Sequence, residues 1–165
     1  GVRVGLEHGG IAPVILGEGA GEDDWLEPVV KGGMYHAGQV CVSTQRVFVP
    51  RARMNQVQEK LAAMIAALRV GDPLLLETEV GPLIRPKEVE RVGRIVGEAL
   101  EAGATLVCGG KALSLRCYAP TLVADVPLTS RIMQEELFGP VIVVHGYDTL
   151  DEARENYIGQ EYRLR

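Results

Sequence analysis

The alternation of two apolar patterns along the chain constrains its fold more than any other feature. Short runs such as "APVIL" (12–16), "QRVFV" (45–49), "ATLVCGG" (104–110), "YAPTLVADV" (118–126) and "PVIVVHGY" (140–147) read as strands. Between them lie segments whose apolar residues recur at helical spacing. In "ARMNQVQEKLAAMIAALRVG", Met54, Val57, Leu61, Met64, Ile65 and Leu68 form one stripe that ends at Gly71 and Pro73. From Pro86 to Ala102 a second stripe, Val89, Val92, Ile95, Val96, Ala99 and Leu100, is stopped by Gly103. "EDDWLEPVVKGGMYHAG" opens with acids suited to a helix N-terminus, and "TLDEARENY" adds a short final helix capped by Thr149 or Asp151. Strands that alternate with helices predict an α/β fold, a mainly parallel sheet covered by helices. "VRVGLE" (2–7) and "APVIL" are both expected in the interior, and the final "GQEYRLR" reads as the start of a further strand.

With 165 residues, the chain is long enough to bury a core without disulfides or metal, and it reads as one unit, residues 1–165. Cys41, Cys108 and Cys117 form neither a CxxC pair nor an even framework, so reduced thiols in a cytoplasm are expected and no metal site is indicated. The net charge is −5 and the 17 basic residues are scattered, which argues against a nucleic-acid partner. No run approaches the ~20 apolar residues of a membrane span, and "GVRVGLEHGG" lacks the pattern of a signal peptide.

Several candidate sites fail on chemistry. "LGEGAGEDD" lies between a strand and a helix, where a glycine loop can cradle phosphate. Its Glu22 stands where the third glycine belongs, however, and Glu18, Glu22, Asp23 and Asp24 would repel a pyrophosphate. Cys108 in a strand and Cys117 in "RCYAP" are expected to be structural. Neither His36 nor His145 has a serine in a nucleophile elbow to serve. Cys41 is different, because Ala37 and Gly38 allow backbone N–H groups to approach the sulfur and favour thiolate. On this evidence alone, nucleophile and buried thiol remain equal alternatives.

The surrounding words resemble the catalytic domain of the aldehyde dehydrogenase superfamily. "LEHGGIAPVIL" is similar to its glutamate signature and "GGMYHAGQVCVSTQRVFV" to its cysteine signature, with Glu7 and Cys41 at the usual separation of 34 positions (41 minus 7). "VGDPLLLETEVGPLI", "GGK…YAPTLV" and "MQEELFGPVIVV" resemble three further family stretches, in the family's order. The resemblance implies that Cys41 attacks an aldehyde to give a thiohemiacetal and then a thioester. It implies that Glu7 is the general base for hydrolysis, and that Glu136 and Phe138 lie against the nicotinamide ribose and ring of NAD or NADP. It further implies a homo-oligomer. His8, Ile11 and His36 depart from the commoner residues and leave the substrate open.

The family's dinucleotide-binding half and its C-terminal portion have no counterpart here, so the chain is expected to be a partial catalytic domain, truncated at both ends. As it stands it is expected to bind no coenzyme and to show little dehydrogenase activity. Two alternatives are a cysteine-dependent esterase using only the acyl-enzyme half of the chemistry, and a non-catalytic structural domain.

Overall fold

A computed structural model describes residues 3–5, 10–17, 19–21 and 24–158, with the side chains of 157 and 158 excepted. The elements run β1 (Ala12–Ile15), α1 (Leu26–Met34), β2 (Thr44–Pro50), α2 (Met54–Ala67), α3 (Pro86–Glu101), β3 (Thr105–Cys108), β4 (Thr121–Ala124), α4 (Arg131–Gln134), β5 (Val141–Tyr147) and α5 (Leu150–Ile158). The five strands form one sheet in the order β1-β2-β5-β4-β3. β1, β2, β5 and β4 are mutually parallel, and β3 closes the edge antiparallel to β4.

The predicted mainly parallel sheet is thus present, and its centre is covered on both faces. Val141, Ile142, Val143 and Val144 are all essentially inaccessible, as are Leu122, Val123 and Ala124. Successive strand residues point to opposite faces, so a run of this kind needs cover on each side. The two predicted amphipathic helices appear as α2 and α3. Met54, Val57, Leu61 and Ile65 are buried on α2, and Val89, Val92, Ile95, Val96 and Ala99 on α3. Met64, Leu68 and Leu100 are half-buried at the margins of these stripes. Gly103 ends α3 with φ +102.

Three expectations need correction or limitation. "APVIL" forms β1 at the sheet edge, not in the interior: β1 pairs only with β2 among the described residues and is half-buried throughout. Most of "VRVGLE" and all of "GQEYRLR" fall outside the described residues, and 3–5 are in no strand. Cys108 is half-buried on edge strand β3, where burial raises its thiol pKa. The short α4 escaped the periodicity analysis because four residues do not reveal a helical period.

Helix α1 sits closer to the sheet than a side chain would allow. A methyl group on Gly33 would lie 2.5 Å from Ile142 Cδ1 and 2.8 Å from the Thr44 carbonyl oxygen. This close approach seats the helix that leads to Cys41. Alanine is the better helix former by about 1 kcal/mol, yet Gly33→Ala is expected to lower stability by about 1–3 kcal/mol through overpacking. Urea unfolding of the two proteins checks the sign.

Candidate active site

Parallel pairing places three loops at one end of the sheet. Gly10 and Ile11 lead into β1, the segment before β2 carries Cys41, and the segment before β5 carries Glu136 and Phe138. β1, β2 and β5 are adjacent and parallel, so their N-terminal ends, and these three loops, share an edge. Open α/β sheets more often hold ligands at the strands' C-terminal ends. Here the opposite edge holds Arg51, Asp148 and Glu152, with the Arg51–Asp148 pair at 2.7 Å. His145, at that same end of β5, has its pKa lowered by burial and by Arg51, while Glu152 and Asp125 oppose the shift.

The cysteine loop is built from unusual backbone. After α1, a single 3-10 turn (Tyr35–Gly38) contains His36 and Ala37 at φ 49 and 56, followed by Gly38 at φ +70. Left-handed conformations at non-glycine residues cost on the order of 1–3 kcal/mol each and persist where surrounding contacts fix them. Those contacts are visible. The Gln39 amide donates to the carbonyls of His36 and Pro82 at 3.0 and 3.3 Å, and its oxygen accepts the Ile84 N–H at 2.9 Å. A tight turn follows, in which Ser43 N–H donates to the Val40 carbonyl at 2.9 Å. The Ser43 hydroxyl donates towards the carbonyls of Gly32 and Gly33, both at 3.3 Å, which serves two of the carbonyls left over at the end of α1. Cys41 stands on this turn with its side chain exposed.

Glu136 and Phe138 belong to a second unusual loop. Phe138 has φ 51 and is 38% exposed, between the buried Leu137 and Gly139. Glu136 is half-buried, and its Oε1 accepts the Gly10 N–H at 3.3 Å. Gly10 in turn lies so close to the cysteine turn that a Cβ there would sit 3.1 Å from the Cys41 carbonyl oxygen. Cys41, Gly10 and Glu136 are therefore consecutive neighbours. Glu7 lies outside the described residues, three positions before Gly10 in the sequence.

Sequence reasoning singled out Cys41, Glu136 and Phe138 but missed the side chains that hold their loops. Gln39 stands beside the cysteine in the quoted signature. Gln45 and Arg46 are polar residues within a strand, and both prove buried, at 6% and 3% exposure. A polar pair inside an apolar strand was the available signal, because burying such groups is costly unless they are bonded. Arg46 donates to the Ile11 carbonyl at 2.6 Å and so anchors β1 to β2 just beyond Gly10. Beside the 3-10 turn lies a cavity of about 720 Å³, floored by Val30, Met34, Met64, Leu68 and Val80 and edged by Lys31; its lining stops at His36.

The two loops touch backbone to backbone at Gly38. A Cβ there would lie 2.0 Å from the Gly139 carbonyl oxygen, and φ +70 adds strain for any L side chain. Gly38→Ala is expected to destabilise the protein by more than about 3 kcal/mol, beyond the range of ordinary substitutions. Thermal or urea unfolding measures this; a loss below about 1 kcal/mol would mean that the loops are not in contact.

Comparison with known proteins bears on the family and the fold. Residues 1–164 match the model of the aldehyde dehydrogenase family. Aspartate-semialdehyde dehydrogenase 1 of Pseudomonas canavaninivorans is 36% identical over 162 residues, which are 98% of this chain and 34% of that protein. Lactaldehyde dehydrogenase from Escherichia coli superposes with a TM-score of 0.88 at 37% identity, covering 92% of this chain and 32% of that one. An aldehyde dehydrogenase of Mycobacterium tuberculosis complexed with NAD+ gives a TM-score of 0.87 at 35% identity, again over 92% and 32%. The chain spans about a third of the length of the curated relatives it matches. By its sequence, its sheet and the order of its loops, this chain belongs to the aldehyde dehydrogenase family.

Proposed function

We propose that this chain supplies the nucleophile and part of the coenzyme-facing surface of an NAD(P)-dependent aldehyde dehydrogenase. The observation that carries the reading is the convergence of the Cys41 turn, Gly10 and Glu136 at one edge of the sheet. An exposed sulfur on the turn just before β2 is open to a small aldehyde. As thiolate, Cys41 attacks the carbonyl carbon; the C–S bond forms as the carbonyl electron pair moves to oxygen, and we assign backbone N–H groups of the turn as donors to that oxyanion. Glu7, three positions before Gly10 in the sequence, takes a proton from water, and the hydroxide displaces the sulfur from the thioester to release the acid.

The residues present fit a nicotinamide nucleotide. Glu136 spends one hydrogen bond on Gly10 N–H, and a carboxylate has capacity for about three more, enough for ribose hydroxyls. The exposed ring of Phe138 offers an apolar face two residues away. When bound, the nicotinamide provides the acceptor for the hydride that leaves the aldehyde carbon. Both curated and solved relatives act on small aldehydes by name, and a small aldehyde is the substrate class we assign.

The test uses the complete polypeptide that carries this segment, beside the 165-residue chain. Reduction of NAD or NADP with a panel of aldehydes is expected in the former. Cys41→Ser should abolish it, and Glu7→Gln should slow turnover by about 10²–10⁴-fold, the range for loss of a general base. Aldehyde-dependent reduction that survives Cys41→Ser would refute the assignment.

A further inference from the structure

Gln45 is the second residue of β2, four positions after the nucleophile, and its side chain is buried. Its amide nitrogen donates to the carbonyls of Ile132 at 2.8 Å and Glu135 at 2.9 Å, and its amide oxygen accepts the Leu137 N–H at 2.8 Å. Both donors and the acceptor are thus bonded, and every partner lies on the segment that presents Glu136. The Glu135 carbonyl and the Leu137 N–H flank Glu136 directly. From the other side, the Arg91 guanidinium donates to the Leu137 carbonyl at 2.5 Å and is itself held by Glu88 at 2.7 Å. Nothing in the pairing of β2 requires a long amide at this position. An aliphatic residue would fill the strand and avoid burying polar atoms.

We propose that Gln45 is a positioning residue. It fixes the backbone on either side of Glu136, aims that carboxylate at Gly10, and thereby sets coenzyme affinity without changing the nucleophilicity of Cys41. The inference rests on the functional reading above for its coenzyme readout, but not for its geometry.

Two variants and two measurements test it. In the complete polypeptide, Gln45→Leu removes all three hydrogen bonds, and the KM for NAD or NADP is expected to rise about tenfold or more, as loss of one to two net hydrogen bonds implies. Alkylation of Cys41 by iodoacetamide without coenzyme should stay within about twofold of wild type, because the cysteine turn keeps its own bonds. Gln45→Glu keeps the acceptor for Leu137 N–H but sets a carboxylate against two carbonyl oxygens. Its KM defect should shrink as pH falls and the buried carboxyl gains a proton with which to donate, whereas the Gln45→Leu defect should not. A merely structural residue would not show that pH dependence.

In the 165-residue chain, hydrogen exchange should speed up about tenfold at the Leu137 and Gly10 amides in Gln45→Leu, while the β2–β5 ladder amides keep their protection. Loss of ladder protection in both variants, an unchanged coenzyme KM, or a parallel fall in Cys41 alkylation would each overturn the proposal. A wild-type polypeptide that reduces no coenzyme would sink the functional reading instead, and the exchange measurement would still decide the role of Gln45.

Discussion

The parallel pairing of β1, β2 and β5 is the constraint on which the site depends. Its register sets Ala12 beside Thr44 and Arg46 beside Val143. Because the three strands run the same way, the chain must enter each of them from the same edge of the sheet. Residues separated by more than 120 positions, Gly10 and Glu136, are hydrogen-bonded only because of that shared polarity. The core that enforces the pairing is dense. Val47, Phe48 and Val49 of β2 and Ile142, Val143 and Val144 of β5 are fully inaccessible. A slip of one residue would turn that apolar set outward and also carry Cys41 away from Gly10.

Within that frame the loops are held by backbone contacts and side-chain amides, and little by charge. Gly38 meets Gly139, Ser43 serves the end of α1, Gln39 grips the segment 82–84, and Gln45 grips 132–137. Salt bridges such as Arg85–Glu88 and Arg131–Glu135 lie mostly at the surface, where such pairs contribute about 0–1 kcal/mol. Of the four non-glycine residues with positive φ among the described residues, His36, Ala37 and Phe138 lie in the two loops at the site, and Asp125 follows β4 at the other end of the sheet. Strain concentrated there, with rigid elements on either side, is the pattern expected where a surface is shaped for binding and not for maximal stability.

Much of this was legible in the sequence, for identifiable reasons. α2 and α3 announced themselves because their stripes run for several turns, and β4 and β5 because both faces are buried and the apolar run is unbroken. β1 misled for the same reason: "APVIL" looks like an interior strand, but so short a run carries no information about whether a neighbour pairs with its outer edge. Cys41 was conspicuous through its surroundings and Glu136 through the "EELFGP" word. The clamps were not, because a hydrogen bond from Gln45 to Leu137 spans 92 positions and leaves no local periodicity. The left-handed pair His36 and Ala37 was equally hidden, since alanine gives no sign of positive φ and histidine a far weaker one than glycine.

The central claim is that an aldehyde adds to the sulfur of Cys41 and, once its hydride has passed to NAD or NADP, leaves an acyl group there. The most direct measurement is peptide mass spectrometry of the complete Glu7→Gln polypeptide, quenched during turnover with an aldehyde and NAD or NADP. Slowed hydrolysis should leave the acyl group on the peptide containing Cys41, with Cys108 and Cys117 unmodified. No acyl mass on any cysteine, or acylation spread equally over all three, would contradict the account.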